Sequence, residues 1–313
     1  MLISIVVSVF NEEQIIETFY YELRKINLNS LAREISCEII FVDDGSNDRS
    51  LEILSDLSRK DPQVTIISLS RNYGHEAAMI AGIDYSSGDA VICMDADLQH
   101  PPFKIREMVN KYLEGYEVIN MVRRESIDAG ILKNISSKLF YYFLNKISLV
   151  EFIPNASDFF LISRRVADIL KTEFRERIRF LRGLIQVIGF NKTAIEYVAP
   201  IRAGGKSKYS LVKLFALSLS AISTFSNLPL HLGIIVGTII GLFSLSVGIF
   251  SIIMRIIGHV PPGYTTIVVL VSFLFAVQLF IIGIIGEYLS RIFDESKKRP
   301  IYLIDKTVSC NKK

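Results

Sequence analysis

The sequence predicts an α/β protein: a mostly parallel sheet with helices on both faces, followed by an interfacial helix and a two-helix transmembrane hairpin. Three observations carry that expectation. Up to about residue 200, short β-rich runs alternate with amphipathic stretches. Those runs are nearly continuously apolar, as strands covered on both faces must be. Beyond residue 230, two stretches of 23 residues each contain no Lys, Arg, Asp or Glu.

Ile3–Val9 is rich in β-branched residues and reads as the first strand. No basic n-region or small-residue cleavage site precedes it, so the N-terminus reads as that strand and not as a signal peptide. Glu12–Lys25 carries apolar residues at helical spacing and reads as the first helix. Glu38–Val42 is the second strand and runs into VDDGSND, where Gly45 suits a tight turn. Ser46 and Asp48 suit capping of the next helix, Ser50–Lys60. Strand Val64–Leu69, helix His75–Tyr85 and strand Ala90–Met94 repeat the unit. Helix Phe103–Leu113 and strands Glu117–Met121 and Asp158–Ile162 complete it. Sheets of this kind bind ligands outside the carboxyl ends of their strands. VDDGSND and DADLQ both fall at such ends.

The uncharged stretches are Leu232–Met254 and Tyr264–Gly286. Each forms a helix roughly 35 Å long, enough to cross a hydrocarbon core of about 30 Å. The connection RIIGHVPPG is too short for a domain, so the two make a hairpin within 228–290. Lys206, Lys208 and Lys213 flank one side and SKKRP the other, whereas the loop holds only Arg255. The positive-inside rule then puts both flanks, and residues 1–208, in the cytoplasm, with 291–313 as a cytoplasmic basic tail. Residues 209–227 are amphipathic and read as a helix lying on the inner leaflet of the cell membrane.

Composition narrows the function. The 313 residues are 50% hydrophobic with a mean hydropathy of +0.38, high for a fully soluble protein. A net charge of +3 is too small to suggest nucleic acid. Cys37, Cys93 and Cys310 form no ligand pair and fit free thiols in a reducing compartment. Neither GxGxxG after a strand nor GxxxxGK[ST] is present, so dinucleotide and P-loop sites are unsupported. No heptad specifies a partner; a small homo-oligomer is compatible with the sequence.

The fourth strand poses the chemical question. In AVICMDADLQHPP, residues 90–102, a buried strand ends in two aspartates one residue apart. On an extended backbone Asp95 and Asp97 point to the same side, roughly 6–7 Å apart. Two such carboxylates repel, and one tends to protonate unless a cation joins them. Hard oxygen ligands suit Mg²⁺ or Mn²⁺, which keep positions open for phosphate oxygens. The pair reads as half of a metal site whose other half is a diphosphate, although helix capping accounts for one aspartate alone. A carboxylate at the Asp43–Asp44 strand end suits a nucleobase N–H or a ribose hydroxyl. His75 and His100 read as structural, with His100 close enough to the acidic pair to add a ligand.

SIVVSVFNEE, FVDDGSNDRSLEIL, SRNYGHEAAMIAG, GDAVICMDADLQHPP, SDFFLISRRV, RFLRGL and RAGGKSKYSL occur in that order before the hairpin. Together they resemble the family-2 inverting glycosyltransferases, most of all the polyprenyl-phosphate branch that includes dolichol-phosphate mannose synthase and bactoprenol glucosyltransferase. The resemblance implies a GT-A-type, Rossmann-like catalytic domain that binds a nucleotide sugar. It assigns Asp43 and Asp44 to the nucleoside, Glu12 to the ribose, and Ser8 and Phe10 to the same pocket. It gives Asp95 and Asp97 to metal and diphosphate, Asp97 and Gln99 to the reacting sugar, and Asp158 to a position proposed as catalytic base. Arg123, Arg124, Arg182, Arg202, Ser207 and Lys208 then serve the acceptor or diphosphate. Ser8 stands where the family usually has proline, and Phe160 where it often has arginine.

The implied reaction moves a hexose, best matched by glucose from UDP-glucose, onto polyprenyl (undecaprenyl) phosphate, for cell-envelope glycan or lipopolysaccharide modification. GDP-mannose, UDP-N-acetylglucosamine or an aminopentose donor are the alternatives. A phosphate monoester has a second pKa of about 6 and is mostly a dianion at neutral pH, so a strong base is not required of Asp158. Cations are required, and Arg is suited to bidentate phosphate contacts. Arg177 and Arg179 are solvated helix charges or lipid-headgroup contacts. A processive synthase needs a QxxRW motif, which a chain without tryptophan lacks. A non-catalytic scaffold leaves the acidic residues unexplained.

Overall fold

The structure, a computed structural model, describes residues 1–26, 28, 35–124, 153, 156–176, 181–198, 200, scattered positions between 235 and 257, and 263–309. These divide into two compact units, Met1–Tyr209 with Pro300–Lys313, and Ser210–Arg299.

In the first unit, β1 (Leu2–Val9), β2 (Ser36–Asp43), β3 (Val64–Leu69) and β4 (Ala90–Asp95) alternate with α1 (Ile16–Arg24), α2 (Ser50–Lys60) and α3 (His75–Tyr85). Then come α4 (Ile105–Leu113), β5 (Val118–Arg123), β6 (Ala156–Ser163), α5 (Arg164–Thr172), α6 (Leu181–Val187) and β7 (Lys192–Tyr197). A last strand, β8 (Ile304–Ser309), follows the 33-residue helix α7 (Tyr264–Ser296) of the second unit. The sheet order is β7-β5-β6-β4-β1-β2-β3-β8. β6 and β8 run opposite to the other described strands, so the sheet is mixed but mostly parallel, as the apolar runs predict.

Helices α1, α2 and α4 cover one face through Ile16, Phe19, Leu54, Ile105 and Met108. α3 covers the other so closely that a Cβ at Gly82 would meet Val6 Cγ1 at 2.1 Å. Nearly every residue of β1 and β4 is buried, with Ile3, Val6, Val7, Val91, Ile92 and Cys93 at 0% exposure. That accounts for their unbroken apolar runs.

Several elements differ from the sequence reading. α1 begins at Ile16, because Asn11 adopts a left-handed φ of 55° and the Glu12 carbonyl closes a turn onto the Ile15 and Ile16 N–H groups. The expected helix 103–113 opens with a 3-10 turn at Pro102–Lys104, where consecutive prolines lack N–H donors. Ser46 does not cap α2; its Oγ accepts from the Asn11 N–H, tying two loops together. Asp48, one residue before the N-cap Arg49, accepts from Ser50 N–H while its other oxygen takes Glu13 N–H. β7, β8, α5 and α6 were not anticipated, and β8 lies within the expected basic tail.

In the second unit, α7 contains the expected span 264–286, and Phe273–Ser296 is apolar enough to cross a membrane, with a mean hydropathy of 1.9. Its exposed apolar side chains include Phe275, Leu279, Phe280 and Ile285. It is the one such helix among the described residues. About half of the expected first span, 232–254, lies outside the described residues, and the interfacial segment 209–227 lies wholly outside them.

Candidate active site

Parallel registration brings the acidic motifs to one edge. β1 pairs Ser8 with Asp95 of β4 and Val9 with Asp43 of β2, so the carboxylates of β4 and β2 flank the carboxyl end of β1. A cavity of about 690 Å³ lined by Met1, Leu23, Ile35 and Cys37 lies at the opposite, amino-terminal edge, away from them.

The turn after β4 is held from within. Asp97 Oδ1 accepts from the Gln99 N–H at 3.0 Å, and Leu98 takes a left-handed φ of 59°. His100 closes the turn: its Nδ1 accepts the Asp95 N–H at 3.0 Å, and its ring stacks on Phe159 at 5.2 Å. Nδ1 also lies 3.8 Å from Asp95 Oδ2. A nitrogen that accepts an N–H carries no proton, so this proximity is not an ion pair. His100 thus braces the turn through Nδ1 and through its stacked ring. Ser8 Oγ donates to Asp95 Oδ1 at 2.5 Å. Burial pushes the Asp95 carboxyl up and the nearby Asp158 charge adds to it, and a bound cation would offset both. Hard carboxylate oxygens from Asp95 and Asp97, with no thiolate among them, fit Mg²⁺ or Mn²⁺.

Asp43 and Asp44 are 1% and 2% exposed. Asp43 accepts from Ser46 N–H and Ser68 Oγ, each at 3.2 Å. Both oxygens of Asp44 are spent on the loop before α3, accepting from Tyr73 N–H at 2.7 Å and Gly74 N–H at 2.8 Å. Burial pushes Asp44 up against the effect of those two donors. Gly45 lets these loops meet: its φ is 68°, and a Cβ there would lie 2.6 Å from the Arg71 carbonyl carbon. Glu12 is half-buried beside this loop and its N–H donates to Ser50 Oγ, while Phe10 is 39% exposed at the end of β1.

Asp158 enters from β6, which antiparallel pairing starts at this same edge. The β5–β6 ladder shifts register between Asn120/Phe160 and Val122/Ala156, leaving Ser157, Asp158 and Phe159 in a bulge. Bulges re-aim side chains. Ser157 Oγ patches the gap by donating to the Met121 carbonyl at 2.9 Å. Asp158 Oδ2 lies 3.4 Å from His75 Nε2, and Oδ1 lies 3.5 Å from Arg182 Nε. Burial pushes Asp158 up, but Arg182 and His75 outweigh it and hold the carboxyl at about 2. Asp158 in turn raises His75 to about 9 against burial. Glu76 is pushed to about 7 by burial and by the Asp158 charge, and accepts from the Leu181 N–H at the start of α6.

The structure thus brings Ser8, Asp43, Asp44, Asp95, Asp97, Gln99, Asp158 and Arg182 to one sheet edge. Arg123 and Arg124 stand exposed as β5 ends. Arg177, Arg179, Arg202, Ser207 and Lys208 lie outside the described residues. Sequence reasoning passed over Glu76 and took His75 as merely structural. The available signal was a His–Glu pair heading a helix otherwise buried from Ala77 to Ile83. Topology puts the start of that helix at the carboxyl edge.

The model of the family described as Glycosyl transferase family 2 matches residues 4–170. The chain is 39% identical over 311 residues to the "Uncharacterized glycosyltransferase YkcC" of Bacillus subtilis (strain 168), across 99% of this chain and 95% of that one. It is 38% identical over 305 residues to the bactoprenol glucosyl transferase of Shigella phage SfV, across 97% and 98%. Among solved structures it is similar to the glucosyl-3-phosphoglycerate synthase of Mycobacterium tuberculosis in complex with Mn²⁺, UDP-glucose and phosphoglyceric acid. There the identity is 18% and the TM-score 0.44, over 71% of this chain and 78% of that one.

Proposed function

The chain belongs to glycosyl transferase family 2, and from that premise we propose that it transfers glucose from UDP-glucose to a polyprenyl phosphate, with inversion, at the cytoplasmic face of the cell membrane. The observation that carries this reading is one sheet edge holding both kinds of charge. Carboxylates from β2 and β4 stand beside the cations of His75 and Arg182, which Asp158 fixes. Near-full-length relatives named bactoprenol glucosyl transferase support the acceptor class and the sugar.

Asp43, with acceptor capacity left after its two hydrogen bonds, suits the nucleoside, and Asp44 shapes the loop beside it. A divalent ion held by Asp95 and Asp97 would neutralise charge on the leaving diphosphate. Gln99, whose N–H closes the turn onto Asp97, suits the donor sugar. An acceptor that is already a dianion attacks the anomeric carbon without surrendering a proton, so Asp158 is free to hold cations instead of serving as a base. Arg182, together with Arg123, Arg124, Arg202, Ser207 and Lys208, then offsets the repulsion between two phosphate groups.

Connectivity supports the membrane arrangement. The chain leaves the sheet after β7 and rejoins it as β8, antiparallel to β3. A membrane-crossing segment between those strands must cross an even number of times, which suits a hairpin over 228–290 with α7 as its second span. The acceptor phosphate then meets the site at the inner leaflet while its isoprenoid tail stays in the bilayer. Screening UDP-glucose, UDP-N-acetylglucosamine and GDP-mannose against undecaprenyl phosphate tests the reading. Preference for UDP-glucose supports it in full. Preference for another donor corrects the sugar, and turnover independent of the lipid rejects the acceptor.

A further inference from the structure

His75, Glu76, Asp158 and Arg182 form a cluster that assembles three elements: the first turn of α3, the bulge of β6 and the first turn of α6. Asp158 is only 14% exposed by its side chain, and each of its oxygens already faces a cation. A carboxylate so placed is a poor proton acceptor. It is well placed to hold His75, whose Nε2 it engages while the ring stays 47% exposed. The second ring nitrogen, Nδ1, is left as a donor. Glu76 ties α3 to α6 through the Leu181 N–H and so keeps Arg182 in register with Asp158.

The side chains of His75, Glu76 and Asp158 also offer ligand atoms within 4.8 Å of one another, a spacing that a metal ion accepts. Arg182 argues against a metal there, because its Nε sits 3.5 Å from the same carboxylate. Two cations on one aspartate favour an incoming anion over a further cation.

We propose that His75 is a substrate-contacting residue: its imidazolium, oriented by Asp158, donates from Nδ1 to the acceptor phosphate, and Asp158 serves the reaction through it as a positioning residue. This rests on the polyprenyl-phosphate reading above. In the step itself, a phosphate oxygen forms a bond to the anomeric carbon as the bond from that carbon to the diphosphate oxygen breaks. The electron pair leaves with the diphosphate, and His75 keeps its proton throughout.

The test uses the full chain in detergent, with UDP-glucose, undecaprenyl phosphate and a short water-soluble prenyl phosphate. Melting curves check that His75→Gln and His75→Lys are folded. Losing a charge-assisted donor should raise the acceptor KM of His75→Gln about tenfold or more for both lipids. Donor affinity by calorimetry should change less than about twofold, since only the acceptor contact is removed. His75→Lys, which restores a cation, should recover part of the acceptor KM. An unchanged acceptor KM in His75→Gln, or donor affinity falling in step with it, overturns the assignment. So does loss of a bound Mn²⁺ equivalent in that variant, which would make the cluster a cation site. A wild-type chain that glucosylates neither prenyl phosphate overturns the function reading itself.

Discussion

Ser8 faces Asp95 across the β1–β4 ladder, and its hydroxyl donates to one Asp95 oxygen at 2.5 Å. The residue that departs from the family's usual proline thus becomes a support for Asp95, one of the two carboxylates proposed above to hold the metal. Ser8→Ala removes that donor without disturbing a strand buried on both sides. Partners of this kind orient first ligands, and losing one weakens metal affinity by about tenfold or more. The expected outcome is a rightward shift in the Mg²⁺ or Mn²⁺ concentration needed for half-maximal turnover, with turnover largely regained at saturating metal. An unshifted metal titration contradicts the role.

Glu76 gives a prediction with a defined sign. Burial, followed by the neighbouring Asp158 charge, lifts its carboxyl to about 7. An acid raised on folding contributes stability that is fully present below its ordinary value, about 4.3, and is lost as pH rises through about 7. Glu76→Gln keeps an acceptor for the Leu181 N–H but cannot ionise. Between pH 4.5 and 8, wild-type stability relative to this variant should therefore fall as pH rises, by about the ordinary-to-raised interval of the group. Parallel melting-temperature curves across that range would show that Glu76 is not titrating there.

Gly45 allows the loop after β2 to touch the loop before α3. A methyl at that position meets the Arg71 backbone at 2.6 Å and demands a left-handed φ. Gly45→Ala should cost about 1–3 kcal/mol from backbone strain alone, and should weaken UDP-glucose binding because Asp43 and Asp44 flank the same turn. Calorimetry of donor binding together with thermal unfolding checks both. Normal donor affinity would mean that the loops relax independently of the pocket.

The segment that leads into β8 is fastened to α3. The Tyr302 hydroxyl donates to Asp84 Oδ2 at 2.6 Å, and Arg175 grips both oxygens of that carboxylate at 2.9 Å each. Burial and then Asp84 push the Tyr302 hydroxyl well above the ordinary tyrosine range. Tyr302→Phe should cost about 1 kcal/mol or more, and deleting residues 300–313 should cost more, because it also exposes the β3 edge. A hairpin deletion meant to test membrane presentation must accordingly retain β8. Equal melting temperatures for wild type and both variants would show that the strand adds nothing.

The central strands and their order along the chain were legible because each is an apolar run that ends on a polar residue: Asn11, Asp43, Ser70 and Asp95. Asp43, Asp44, Asp95 and Asp97 could be read for the same reason: strand ends are local features. What escaped is what depends on distant pairing. Ile304–Ser309 is short and polar, and becomes a strand only against β3. Nothing near Ala156–Ser163 announces that it inserts antiparallel between β4 and β5. His75 looked structural because its partner, Asp158, reaches it only through that insertion and the bulge. The doubt that Asp158 must act as a base needed no structure, since it rested on the acidity of the acceptor.

The central claim is sugar transfer to a lipid phosphate by the β2–β4 carboxylate edge. Its most direct measurement incubates the purified full chain with radiolabelled UDP-glucose, Mg²⁺ and undecaprenyl phosphate in detergent, then counts label in the organic phase, with Asp95→Ala and Asp97→Ala alongside. The account predicts one glucose per lipid in the wild type, abolished by chelator and by either substitution in folded protein. Label that stays in the aqueous phase, grows into polymer, or reaches the lipid equally well in Asp95→Ala would contradict it.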